Sequence, residues 1–303
     1  MPDFSETYIG QTRLLLTVLP FVSQHPSFAL KGGTAINFFY RDGPRLSVDI
    51  DLHYLPDHPR DQAIAGIRSN MAAIGQSLER ALPGCHYSLH PTTSNARVAY
   101  QNATIKIEPN GVIRGQLLPP AVRTLSTRLA DRFNTAPQVA CVAHAELFAG
   151  KLCAALQRQH PRDLFDVHLL LTEEDGLTRD LIDAFIVYLI SQGKPIFELL
   201  APNMQPIDDL YRRQFAGMTA QAVTLDQLKE IQHTLPELIR AQLTEDDRSF
   251  LLGFKRGTPD WQLIRHAHAE ALPAVRWKQF NLERMVARKR EDATQRLAHL
   301  LSM

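Results

Sequence analysis

Between Leu30 and Leu52 the chain reads LKGGTAINFFYRDGPRLSVDIDL, and no other stretch restricts the fold so tightly. The apolar run at 28–31 predicts a short strand, Gly32-Gly33 a turn, and Thr34 to about Tyr40 a helix. Asp42-Gly43-Pro44 predicts a second turn, and Leu46 to Tyr54 a second strand. Alternation along that strand sends Asp49 and Asp51 to one face while Val48, Ile50 and Leu52 pack behind. Two carboxylates fixed side by side repel each other unless a cation lies between them. Hard oxygens of this kind suit Mg²⁺, which also takes oxygens from substrate phosphates.

The glycine pair supplies the complementary half. Without a Cβ the backbone turns sharply and comes close to a ligand. The N–H groups of Gly32, Gly33 and Thr34 then point at an anion placed at the helix start. Alone, a Gly-Gly is usually a turn and an Asp-x-Asp usually a solvated strand. In this order, each backed by an apolar strand, they make the working core of a nucleotidyltransferase: one part for a triphosphate, the other for its metal ions.

At 303 residues the chain is long enough for two lobes, divided at 1–140 and 141–303. A net charge of +1 announces no global field for nucleic acid, so any basic surface is local. Cys85, Cys141 and Cys153 are odd in number and widely spaced, which fits buried, reduced thiols in a cytoplasmic protein rather than a disulfide frame or a zinc site. No signal pattern and no apolar run of membrane length is expected.

Along the chain, residues 4–21 and 60–82 read as helices. Residues 85–117 change period, and HYSLHPT, ARVAYQN and ATIKIEP predict an antiparallel set of strands. In the last, Ile105 and Ile107 face one side; Thr104, Lys106 and Glu108 face the other. Residues 138–143 read as a strand and His144 to Gln157 as a helix whose small-residue face carries Lys151. A lysine there can reach a triphosphate as a point charge, although a helical lysine is usually solvated. HPRDLFDVHLLL opens a further helix with Pro161 in its first turn, and Asp163 and Asp166 stack three apart. Asp163 also suits dipole compensation at the helix start, whereas Asp166 sits among Phe165, Val167, Leu169 and Leu170 and wants a cation, Lys151 or Arg162. From Thr178 onward the pattern is helical, with Trp261 and Trp277 expected in the core. Basic residues crowd into 255–290.

K-G-G-T-A at 31–35 followed by R-L-S-V-D-I-D-L at 45–52 resembles the AbiEii/AbiGii toxin family, a branch of the polymerase-β-like nucleotidyltransferases that includes the MenT toxins. G-K-L-x-x-A-x-x-R at 150–158 followed by R-D-L-F-D at 162–166 is similar to the family's second motif, and 250–282 to its C-terminal part. The resemblance implies an α+β fold: a polymerase-β-like lobe with a mixed or antiparallel sheet and helices, then a mainly helical lobe. It implies a metal set of Asp49, Asp51 and Glu108 holding Mg²⁺ or Mn²⁺. The implied nucleotide contacts are Lys31, Gly32, Gly33, Thr34, Ser47, Lys151 and Arg162, with Asp163 or Asp166 completing the site. It further implies an NTP donor, an RNA acceptor (tRNA 3′ ends), growth arrest as in abortive infection, and a separately encoded antitoxin. Two other outcomes keep part of this: transfer to a small molecule or to protein, and a non-catalytic nucleotide-binding module. A phosphate on Ser47 would place about −1.5 to −2 charge against the metal carboxylates and block the nucleotide.

Overall fold

The computed structural model describes residues 4–219 and 222–301. The chain divides into two compact units, Met1–Ala143 with Phe215–Ala222, and His144–Gln214 with Val223–Met303. The return of a short segment to the first unit, late in the chain, has no counterpart in the sequence pattern.

The first unit runs α1 (Glu6–Ser23), β1 (Phe28–Lys31), α2 (Gly32–Thr34) continuing as a π-helical turn (Ala35–Tyr40), β2 (Asp49–Tyr54), α3 (Arg60–Ala81), β3 (His86–Leu89), β4 (Ala96–Tyr100), β5 (Ala103–Asn110), β6 (Ala121–Thr124), α4 (Thr127–Phe133) and β7 (Gln138–Cys141). Among the described residues seven strands form one mixed sheet in the order β3-β4-β5-β2-β1-β7-β6. β3, β4 and β5 pair antiparallel, as their alternation predicts. β5 nevertheless joins the sheet parallel to β2, and β7 lies parallel to β1. The chain crosses over through α3 between β2 and the β3–β5 meander, the kind of connection that parallel strands need.

β2 starts at Asp49 rather than at Leu46, and hydrogen bonding explains the difference. Leu46 N–H donates to Met218 O at 2.8 Å, and Arg45 bridges to Thr219. Residues 45 and 46 therefore spend their backbone groups on the returning segment. Ser47 stands before the strand, not on it. Behind β2 and β5, Ile50, Leu52, Ile105 and Ile107 are at most 2% exposed. α1 packs on β1, β5 and β7, and α3 on α1 and β3. Burying each such side chain stabilises the sheet by about 1.5–3 kcal/mol, which fixes which face the carboxylates must take.

The second unit is helical among its described residues: α5 (His144–Arg158), α6 (Pro161–Thr172), α7 (Arg179–Ile190), α8 (Ile196–Leu200), α9 (Asp208–Gln214), α10 (Leu225–Gln242), α11 (Glu245–Arg256), α12 (Pro273–Glu283) and α13 (Ala287–Leu301). α7 is buried from Leu181 to Ile190 and packs on α5. Capping boxes at Thr224 and Thr244 start α10 and α11. Trp261 is half-buried at the edge of the core, meeting the buried Phe250 and Phe254 edge-on with ring centroids 5.1 and 6.3 Å away. Trp277 is not in the core: it is 57% exposed. The period of α12 turns Ala274, Val275 and Leu282 inward and leaves position 277 outside.

All three cysteines are free and buried. Among the described residues no helix is long and apolar enough to cross a membrane.

Candidate active site

The sheet register assembles the first-unit residues. Lys31 lies opposite Asp51, and Asp51 opposite Glu108, so a Lys–Asp–Glu row crosses β1, β2 and β5 on one face. One step along β2, Asp49 lies opposite Lys106, which in turn lies opposite Arg97. Asp49, Asp51 and Glu108 are each partly buried, whereas Lys106 and Arg97 are exposed. The side-chain amide of Asn95 reaches Glu108 Oε1 at 3.5 Å. Beside this row a groove of about 590 Å³ opens over β3–β5, lined by Ser88, His90, Asn95, Arg97, Lys106 and Glu108.

The glycine corner fits against the row. Gly32 has φ +69°, and a Cβ there would stand 2.0 Å from Asp51 Oδ2. A Cβ on Gly33 would stand 2.4 Å from an Arg45 guanidinium nitrogen. Both close approaches exist only because these residues are glycines. Arg45 is buried, and its Nη1 donates to Leu46 O at 3.0 Å. This buried cation was not among the sequence-derived candidates, although it opens the R-L-S-V-D-I-D-L motif.

Thr34 ties the helix start to the acidic strand. Its Oγ1 donates to Asp49 O at 2.5 Å and lies 2.8 Å from Ser47 Oγ. A hydroxyl has one proton, so with that proton on the Asp49 carbonyl Thr34 accepts from Ser47. Ser47 is only 7% exposed, and its own carbonyl accepts from Thr12 Oγ1 at 3.3 Å.

His53 is the third residue on the carboxylate face of β2, and it is 2% exposed. Burial, and then the Lys31 charge, lower its pKa to about 4, so the ring is neutral near pH 7. Its Nε2 lies 2.5 Å from Gly115 O and donates there, leaving a buried Nδ1 with no hydrogen-bond partner.

Among the described residues no group of three His, Cys, Asp or Glu side chains forms a ready-made metal cage. Mg²⁺ is usually held by one or two carboxylates, with substrate phosphates and water completing its shell. The hard-oxygen pair at Asp49 and Asp51, on a glycine corner that a Cβ would fill, fits an ion that arrives with a nucleotide.

In the second unit, Lys151 on α5 and the start of α6 form a buried ion cluster. Lys151 Nζ lies 2.8 Å from Asp163 Oδ1 and 2.9 Å from Asp166 Oδ2. Arg158 stands 2.9 Å from Asp163 Oδ2, off the line of a good hydrogen bond, and donates to Oδ1 at 3.1 Å. Burial works to raise the Asp163 pKa, but the charges of Lys151 and Arg158 outweigh it and hold the carboxyl below its ordinary value. Both candidate aspartates thus flank one ammonium. His160, not an aspartate, caps α6, its Nδ1 accepting from Arg162 N–H at 3.1 Å. A separate cavity of about 840 Å³ in this unit, bounded by α5, α8 and α13, contains none of the motif residues.

No curated protein matches this sequence. The solved structure of MenT4, a nucleotidyltransferase toxin from Mycobacterium tuberculosis H37Rv, matches with a TM-score of 0.60 at 15% identity, covering 97% of this chain and 93% of that one. At that identity the likeness is one of fold. The family model described as nucleotidyl transferase AbiEii toxin, type IV toxin–antitoxin system, matches residues 13–281, a span that includes every motif residue from Lys31 to Asp166. The chain belongs to the AbiEii family, the nucleotidyltransferase toxins of type IV toxin–antitoxin systems.

Proposed function

We propose that the chain moves a nucleoside monophosphate from a metal-bound NTP to the 3′ end of an RNA, tRNA being the acceptor. The observation that carries this is the Lys31–Asp51–Glu108 row with the Gly32 backbone packed onto Asp51. Lys31 and the N–H groups of the corner bind the phosphate tail, and Arg45 adds positive charge beneath Gly33. Asp49 and Asp51, with Glu108, would hold the divalent ion, Mg²⁺ or Mn²⁺. When bound, that ion screens the charge building on the leaving pyrophosphate. The acceptor hydroxyl oxygen bonds to the α-phosphorus, the bridging α–β bond breaks, and pyrophosphate departs. Glu108 is the base that takes the hydroxyl proton. In the second unit, Lys151 and Arg162 are assigned to the nucleotide, with Asp163 and Asp166 fixing the Lys151 ammonium. Their support is the family motif and the buried cluster.

The test is incubation with each labelled NTP, Mg²⁺ and total RNA, comparing wild type with Asp49→Ala. Label should appear on tRNA 3′ ends and vanish in the variant. Label on an aminoglycoside or on protein would replace the acceptor, and absence of transfer to all three would leave a binding module. Incorporation independent of Asp49 would overturn the site. Co-expression with the cognate antitoxin should relieve the growth arrest.

A further inference from the structure

α12 carries an arrangement that the transfer chemistry does not use. Trp277 is 57% and Phe280 38% exposed, yet their rings are stacked, 5.6 Å between centroids and 23° between planes. The Arg284 guanidinium lies 3.9 Å from the Phe280 ring centroid, continuing the stripe at spacings of three and four residues. Large aromatic side chains are normally drawn under cover, so two of them aligned on an open helix face ask for a ligand.

The helix is held firmly from its other side. Ala274, Val275 and Leu282 are buried. Lys278 Nζ donates to the carbonyls of Gln192, Gly193 and Lys194 at 2.5, 3.3 and 3.2 Å, fastening α12 to the segment that follows α7. The stack is therefore presented on an anchored helix.

Charge indicates what the ligand is. Among the described residues, Arg276, Arg284, Arg288, Lys289 and Arg290 make no ion pair with a carboxylate. Lys255 feels Lys289 and Arg290 closely enough that, after burial, their repulsion further lowers its pKa. Flat π faces with the Arg284 guanidinium stacked beside them suit a ligand with both bases and phosphates. An acidic peptide would use the cations but leave the ring faces without partners.

We propose that Trp277, Phe280 and Arg284 form a stacking platform for the bases of an unpaired nucleotide strand, with Arg276, Arg288 and Lys289 directed at its phosphates. The inference rests on the RNA-acceptor reading and names where the acceptor strand is gripped. Duplexes keep their bases stacked inside, so the platform selects single-stranded segments.

The chain has two tryptophans. A Trp261→Phe variant leaves Trp277 as sole reporter, and its fluorescence is followed in a titration of the full chain with short strands of RNA, DNA, an abasic analogue and a duplex. The expected result is saturable quenching by the unpaired strands, with RNA and DNA separated by their affinities, and much weaker binding of the abasic strand and the duplex. By fluorescence anisotropy of a labelled RNA, Trp277→Ala and Phe280→Ala should each weaken binding roughly tenfold or more. Arg288→Ala should lower the dependence of log affinity on log salt by about one. Trp277→Phe should retain most of the affinity, which a merely structural tryptophan effect would not predict. Equal binding of abasic and normal strands, unchanged affinity in Trp277→Ala, or no quenching by any strand would overturn the platform, the last returning this face to a protein partner. The titration needs no NTP, metal or turnover. A failure here is therefore read separately from a failure of the transfer reaction.

Discussion

Replacing Gly32 by alanine separates two effects that the structure allows to be counted. At φ +69° an L-residue costs about 1–2 kcal/mol in the left-handed region. The new Cβ would also stand 2.0 Å from Asp51 Oδ2, against a practical limit of 3.0 Å, so the carboxylate must withdraw by about 1 Å. A displacement of that size in a reacting group can cost about a hundredfold in rate. Gly84 provides the control, with φ +83° and nothing within 4 Å of where its Cβ would stand. Gly84→Ala should therefore lose a similar 1–2 kcal/mol, on the order of the left-handed penalty alone, in urea unfolding while keeping full nucleotide transfer. Gly32→Ala should lose at least as much stability and about a hundredfold in transfer rate. Transfer by Gly32→Ala at the wild-type rate would refute the claim that the corner positions Asp51.

The buried polar groups give four further outcomes. Lys151→Met removes the ammonium that the buried Asp163 and Asp166 both meet, and should cost roughly 3–5 kcal/mol in urea unfolding, part of it recovered by adding Asp163→Asn and Asp166→Asn. His53 titrates at about 4 when folded and near 6.5 when unfolded, so the unfolded chain binds more protons between those values and stability falls as pH drops through that window, by at most about 3 kcal/mol. His53→Gln should flatten that slope in unfolding experiments at about pH 4–7; an unchanged slope would place the effect elsewhere. Asp163 adds acid sensitivity further down, since a lowered carboxylate pKa gives stability that is lost as pH falls through the folded value. Ser47→Glu would put a charge where the hydroxyl now meets Thr34, next to the Asp49 carbonyl, and should abolish NTP binding in calorimetry; retained binding would remove Ser47 from the account.

The residues that could be read in advance were those with a local period or a steric demand. Gly32, Gly33, Asp49 and Asp51 announced themselves because a turn and an alternating strand leave direct traces in the sequence. The β3–β5 meander was legible for the same reason, whereas Glu108 was singled out only through the family resemblance. Parallel pairing of β5 with β2 was not, because a strand's own pattern does not name its partner. Arg45 and Arg158 look like ordinary surface arginines, and only the fold reveals a close approach to Gly33 or to Asp163. Residues 217–219 join the first unit through backbone hydrogen bonds, which any sequence can make. β6 and α4 are too short to leave a clear period. Trp277 misled because burial statistics favour the core, while the phase of α12 decides the matter.

The most direct measurement is calorimetric titration of NTP, with and without Mg²⁺, into wild type, Asp49→Asn and Asp51→Asn, substitutions that keep shape and remove charge. The account predicts binding that requires the divalent ion in the wild type and is lost in both variants while their unfolding curves stay cooperative. Equal NTP affinity in all three proteins, or binding indifferent to Mg²⁺, would contradict it.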